Sequence, residues 1–144
     1  MIRRALMVGL MISALPAAEA APHRLAPGSW QISEGLALSG NDTPESSRQI
    51  CIQPGKSIVT PDWFAELAKP GSDCSSALVS ETSNGLEFRI SCDANGRLLE
   101  GPSRVSIEDN LFSIVSDLAM DLGGYPFPLH RALTARRVSS QCEH

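Results

Sequence analysis

The chain has 144 residues, a net charge of −4 and a mean hydropathy near zero, with 16 acidic against 12 basic side chains. That length sets an expectation of one domain beyond any leader, and the acidic balance disfavours nucleic acid as a partner. No internal repeat or low-complexity tract argues for a solenoid or a disordered tail.

Met1 to Arg4 form a short positive segment, and Ala5 to Leu15 an apolar run that Pro16 breaks. Ala18-Glu19-Ala20 then places small residues where a signal peptidase reads them, so residues 1–20 are expected to be an export leader cleaved after Ala20. The apolar run is too short for a permanent membrane helix. No cysteine near the cleavage point marks a lipid anchor, and no later segment is apolar enough for stable membrane insertion. Removing Arg3, Arg4 and Glu19 takes the charged residues to ten basic and fifteen acidic, a net charge of −5. Residues 21–144 are thus expected to form a single soluble β-rich domain in the periplasm or outside the cell. All four cysteines, Cys51, Cys74, Cys92 and Cys142, fall in it, and an even count in an exported chain reads as a disulfide framework. No two cysteines have the close spacing of a metal site, and no metal or cofactor is expected.

The local signals are mostly of period two. Trp30, Ile32, Leu36 and Leu38 alternate with polar or small residues and predict a half-buried strand. Asn41 to Glu45 reads as a polar loop and Ser47 to Gln53 as a second strand. Thr60-Pro61-Asp62 is a helix start, with a Thr cap, Pro in the first turn and an acid beside it. The helix should end before Pro70-Gly71, and its stripe of Trp63, Phe64 and Leu67 must dock on the sheet, because two turns cannot stand alone. Trp63 is also a candidate lid over a pocket.

Strands are then predicted over residues 76–82 and 86–92, joined by a three-residue loop Ser83-Asn84-Gly85. Another follows over residues 97–107. Gly123-Gly124 marks a two-residue hairpin that sets Leu122 opposite Tyr125, Met120 opposite Phe127, Leu118 opposite Leu129, Ile114 opposite Leu133 and Phe112 opposite Ala135. Those pairs are apolar, whereas Ser113, Asp117, Asp121, His130, Thr134 and Arg136 share the other face. The fold class expected is all-β with one short helix: an antiparallel meander of about seven strands, curled into a barrel or half-barrel and disulfide-bonded.

The three-residue loop sets Ser76 opposite Cys92, with Cys74 diagonally across and within reach, so Cys74 should bridge Cys92 and leave Cys51 for Cys142. Pro126 and Pro128 lack donors on the outer side of the last strand, so residues 125–129 should be a sheet edge, with Tyr125 and Phe127 as a rim for a partner. Glu34 and Arg131 fall on apolar faces. Isolated buried charges are costly, so the two are expected either to satisfy each other or, for Arg131, to meet an anionic headgroup at the floor of a pocket.

Several landmarks occur in a fixed order: Pro27-Gly28-Ser29-Trp30, then Cys51-Ile52-Gln53-Pro54, Cys74 and Cys92 about the middle hairpin, and Arg136-Arg137-Val138 before Cys142. In this the chain resembles the domain-of-unknown-function family 3617 of small exported proteobacterial proteins. The likeness spans nearly the whole exported part. It departs from the family's methionine-rich late strands, where Met120 stands alone, and it implies no activity.

Catalytic chemistry finds little support. His130 is the one histidine expected within a strand, facing outward, and Glu108-Asp109 reads as a solvated turn. Copper capture through His23 as a third residue would need a deprotonated backbone nitrogen, which Pro22 lacks. The expectation is a protein that is not an enzyme: a soluble envelope protein meeting a protein partner or, alternatively, a carrier of a small apolar or amphipathic ligand in the curled sheet.

Overall fold

The computed structural model describes residues 21–142. The expected leader and His144 lie outside them. In chain order the elements are β1 (His23–Arg24), β2 (Gly28–Leu38), β3 (Asn41–Asp42), β4 (Ser46–Ile52), β5 (Ile58–Val59), α1 (Pro61–Ala68), β6 (Cys74–Thr82), β7 (Gly85–Asp93), β8 (Leu98–Glu108), β9 (Leu111–Leu122) and β10 (Tyr125–Ser139). Seven of the strands are long, as the alternation implies, and three are two-residue additions. One of these, β3, turns the first half of the expected polar loop back onto β2 after Ser39 and Gly40, both at positive φ.

The main sheet is antiparallel throughout and runs β4-β2-β10-β9-β8-β7-β6, with β3 also on β2. It is an open half-barrel, because β4 and β6 do not meet. Burial follows period two on four successive strands: Leu86, Phe88, Ile90 and Cys92 on β7; Leu99, Ser103 and Val105 on β8; Phe112, Ile114, Ser116 and Leu118 on β9; Leu129, Arg131, Leu133 and Ala135 on β10. This inner face is covered by α1, whose Phe64, Ala65 and Ala68 are buried, and by the β1–β5 ribbon, which adds His23 and Val59. Phe112 gathers Trp30, Trp63 and Phe64 about it with ring centroids 5.6–5.7 Å away, so the curl is filled with aromatic side chains.

The last hairpin has the register expected from its sequence, from Leu122 opposite Tyr125 to Phe112 opposite Ala135. Gly123 (φ 66°) and Gly124 (φ 91°) take the left-handed conformations that such a two-residue turn requires. The middle hairpin differs from expectation. Its loop is the two residues Ser83-Asn84, with Thr82 opposite Gly85, and an irregularity between Leu78 and Ser80 shifts the register. That extra residue brings Cys74 directly opposite Cys92 rather than diagonal to it. The two bridges join Cys74 to Cys92 and Cys51 to Cys142.

A second difference concerns the edge. Residues 125–128 pair only with β9, but Leu129 already pairs with Leu38, and Ser39 N donates to Pro128 O at 3.1 Å. The free stretch is therefore one residue shorter than expected. A third concerns His23, which is not a loose terminal residue: it sits in β1 opposite Val59 and is buried.

Candidate functional site

The two misplaced charges meet. Leu36 lies opposite Arg131 in the ladder and Leu133 opposite Glu34, so the two charges are diagonal neighbours on the inner face. Arg131 Nε donates to Glu34 Oε1 at 2.5 Å, and Nη1 donates to the carbonyls of Leu67 (3.2 Å) and Ala68 (2.5 Å). Those carbonyls end α1, which has no basic residue in its last turn. A helix C-terminus leaves carbonyls unpaired and carries partial negative charge, so a cation there stabilises it. Arg131, only 7% exposed, supplies that cation from the sheet. At the other end Thr60 accepts a hydrogen bond from Trp63 N through its side chain. Of the two expectations for Arg131, the structure displays mutual satisfaction with Glu34, and the helix end occupies the space above.

The polar row continues across the sheet. Ser116 lies opposite Arg131, and Ser103 opposite Ser116, with their hydroxyl oxygens 2.7 Å apart and fully buried. A hydroxyl pair of this kind satisfies both members without water. His130 lies on the opposite face, and His23 is bonded to Glu81.

His130 Nδ1 is 2.7 Å from Asp117 Oδ1, and Asp117 Oδ2 is 3.5 Å from Arg104, which also approaches Glu87 at 3.8 Å. Acid and base thus alternate over four strands on the outer face. Such exposed pairs contribute little each, about 0–1 kcal/mol. Among the described residues no cluster of three His, Cys, Asp or Glu side chains is placed to hold a metal ion, and all four cysteines are bridged.

The partner candidates are spread out. Tyr125 is 79% exposed at the tip of the β9–β10 hairpin, and Phe127 is half-buried beside it. Trp63 packs edge-on to Phe64 and Phe112 on its inner side, so it belongs to the core as much as to any lid. Glu34, Arg131, Tyr125, Phe127 and Trp63 do not converge on one cavity.

Sequence reasoning missed two features. The first is a corner where the motif residues meet. Arg137 donates through Nε and Nη2 to Pro27 O at 2.9 and 2.7 Å, and Trp30 Nε1 donates to Ala26 O at 2.9 Å. Gly28 has φ 133°, and a Cβ built there would lie 2.1 Å from Ser139 O. Ser29 pairs with Cys51, whose bridge to Cys142 closes the same corner. The motif residues are visible in the sequence, but nothing local places residues 27 and 137 together. The second is β6. Every residue from Ser75 to Ser80 is exposed, including Leu78 (47%) and Val79 (60%), and the strand pairs with β7 alone.

No helix among the described residues is long and apolar enough to cross a membrane. No protein-family model matches the chain, and comparison with curated proteins and with solved structures found no match.

Proposed function

We propose that this chain is a non-catalytic, exported envelope protein that meets a protein partner by adding the partner's extended segment to the free edge of β6. The observation that carries the reading is the chemistry of that edge. Proteins ordinarily blunt an edge strand with charge, proline or cover. The free stretch of β10 has Pro126 and Pro128, and β4 has Arg48 and a disulfide at Cys51. From Ser75 to Ser80 β6 has neither a charge nor a proline, and it presents Leu78 and Val79. Strand addition takes affinity from main-chain hydrogen bonds and specificity from alternate side chains, and both are on offer here. The aromatic cluster about Phe112, which fills the curl of the sheet, argues in the same direction.

Export is supported by the leader-like residues 1–20 and by two disulfides, which persist in oxidising compartments. Membership of the domain-of-unknown-function family 3617 is part of the same proposal, supported by the order of the motif residues. The non-catalytic reading is supported by the bridged cysteines and by the pairing of the buried serines with each other.

A photoreactive amino acid at Val79, compared with the same probe at Ser47 and Tyr125, tests the edge in cells. A crosslinked protein from Val79 alone, lost when Leu78 is changed to lysine, is the expected result. Crosslinks from Ser47 or Tyr125 with none from Val79 would sink it.

A further inference from the structure

We infer that the groove between α1 and β4 is a binding site for a single-chain anionic amphiphile, with its hydrocarbon chain along the groove and its headgroup beside Lys56. The site goes beyond the partner reading and lies on the opposite flank of the sheet, so either can stand without the other. Residues of β4, β5 and α1 line a groove of about 430 Å³. That is within the span of small-molecule sites, roughly 300–1,000 Å³.

Its walls are mainly apolar, with Ile50 and Ile52 from β4, Ile58 and Val59 from β5, and Trp63 and Leu67 from α1, while Gln53 and Thr60 add polar atoms. Ile58 is a large apolar side chain that is 51% exposed. Lys56, at the end of the 3-10 turn Pro54–Lys56, is the sole charged residue lining the groove. No ion pair holds it among the described residues. A lysine lining an apolar groove, with no acidic residue beside it there, favours an anionic headgroup and disfavours a cationic one. The grooves beside the Cys74–Cys92 bridge lack this match, since Asp73 and Asp93 line both.

The chain has two tryptophans, of which Trp63 lines the groove and Trp30 is fully buried, so tryptophan emission reports on occupancy. Titrating the purified protein with dodecanoate below its micelle concentration should give a saturable emission change that Trp63→Phe removes. Each methylene taken from the chain should weaken binding about fourfold, the ratio expected for burial of one CH2. Lys56→Gln should weaken dodecanoate about threefold while leaving dodecanol unchanged, and Lys56→Arg should restore it. Dodecyltrimethylammonium should bind more weakly than dodecanoate. Ile58→Glu should abolish the response while the thermal melt stays that of the parent. Lack of saturation, equal binding of the anionic and cationic probes, or a response that survives both Lys56→Gln and Ile58→Glu overturns the assignment.

Discussion

Arg131 holds Glu34 diagonally across the β2–β10 ladder and, with the same guanidinium, the last carbonyls of α1. One side chain thereby fixes the helix to the sheet and neutralises a carboxylate in an apolar surrounding. Changing Arg131 to Met should destabilise the fold by about 3–5 kcal/mol, because it strands Glu34 and uncaps the helix. Glu34→Gln should cost less, since Gln still accepts from Nε. Equilibrium urea unfolding measures both. A loss for Arg131→Met within experimental error would show that the cluster contributes nothing.

Ser103 and Ser116 should behave as a unit. Ser103→Ala leaves a buried hydroxyl without its partner, at a cost of about 1–3 kcal/mol, and Ser116→Ala does the same. Removing both takes away the unsatisfied group, so the double variant should lose less than the sum of the singles. A double-mutant cycle measures the coupling, and strict additivity would refute it.

Gly28 should be intolerant where Gly55 and Gly71 are not. Its positive φ and the closeness of Ser139 O leave no room for a Cβ. Gly28→Ala is expected to cost about 2–4 kcal/mol through strain and overpacking. Gly55→Ala and Gly71→Ala, with nothing within 4 Å of the added atom, should stay within about 0.5 kcal/mol of the parent. Thermal melts of the three variants decide it.

The two disulfides should contribute unequally. Cys51–Cys142 closes a separation of 91 residues and Cys74–Cys92 one of 18. On the chain-entropy model the long bridge is worth about 4.5 kcal/mol and the short one about 3 kcal/mol. Replacing each pair by alanines and comparing denaturation midpoints tests the order, and a larger loss at the short bridge would reverse it.

The legible parts of the fold are those where two constraints coincide. At Gly123-Gly124 the turn residues and both faces of the hairpin agree on one register, and that register is observed. In β6 the serines at 75, 76 and 80 weaken the alternation, so neither the two-residue loop nor the extra residue near Val79 could be read from it. Glu34 and Arg131 stood out as charges on apolar faces, which made their pairing a deduction about cost. The contact between Arg137 and Pro27 spans 110 residues and obeys no local rule, and β1 is too short to show a period. Edge position and helix stripe mark Tyr125 and Trp63 alike as partner candidates, and exposure separates them: Tyr125 is 79% exposed, whereas Trp63 is tied to the aromatic core.

The position of β2 between β4 and β10 governs the order in which the chain can fold. The meander from β6 to β10 joins neighbours in sequence, whereas β2 must find a strand about a hundred residues downstream, and closing that loop is slow. Until β10 exists, the strand bearing Trp30 has its hairpin mate β4 but no place in the sheet. The last strand is therefore a checkpoint. A chain ended at Pro128 retains every residue of β6 to β9 and loses the whole β10–β2 ladder, so Trp30 should stay accessible to solvent quenchers in it and become protected once synthesis passes Arg137. For a chain synthesised N-terminus first, the strand bearing Trp30 emerges early and settles late.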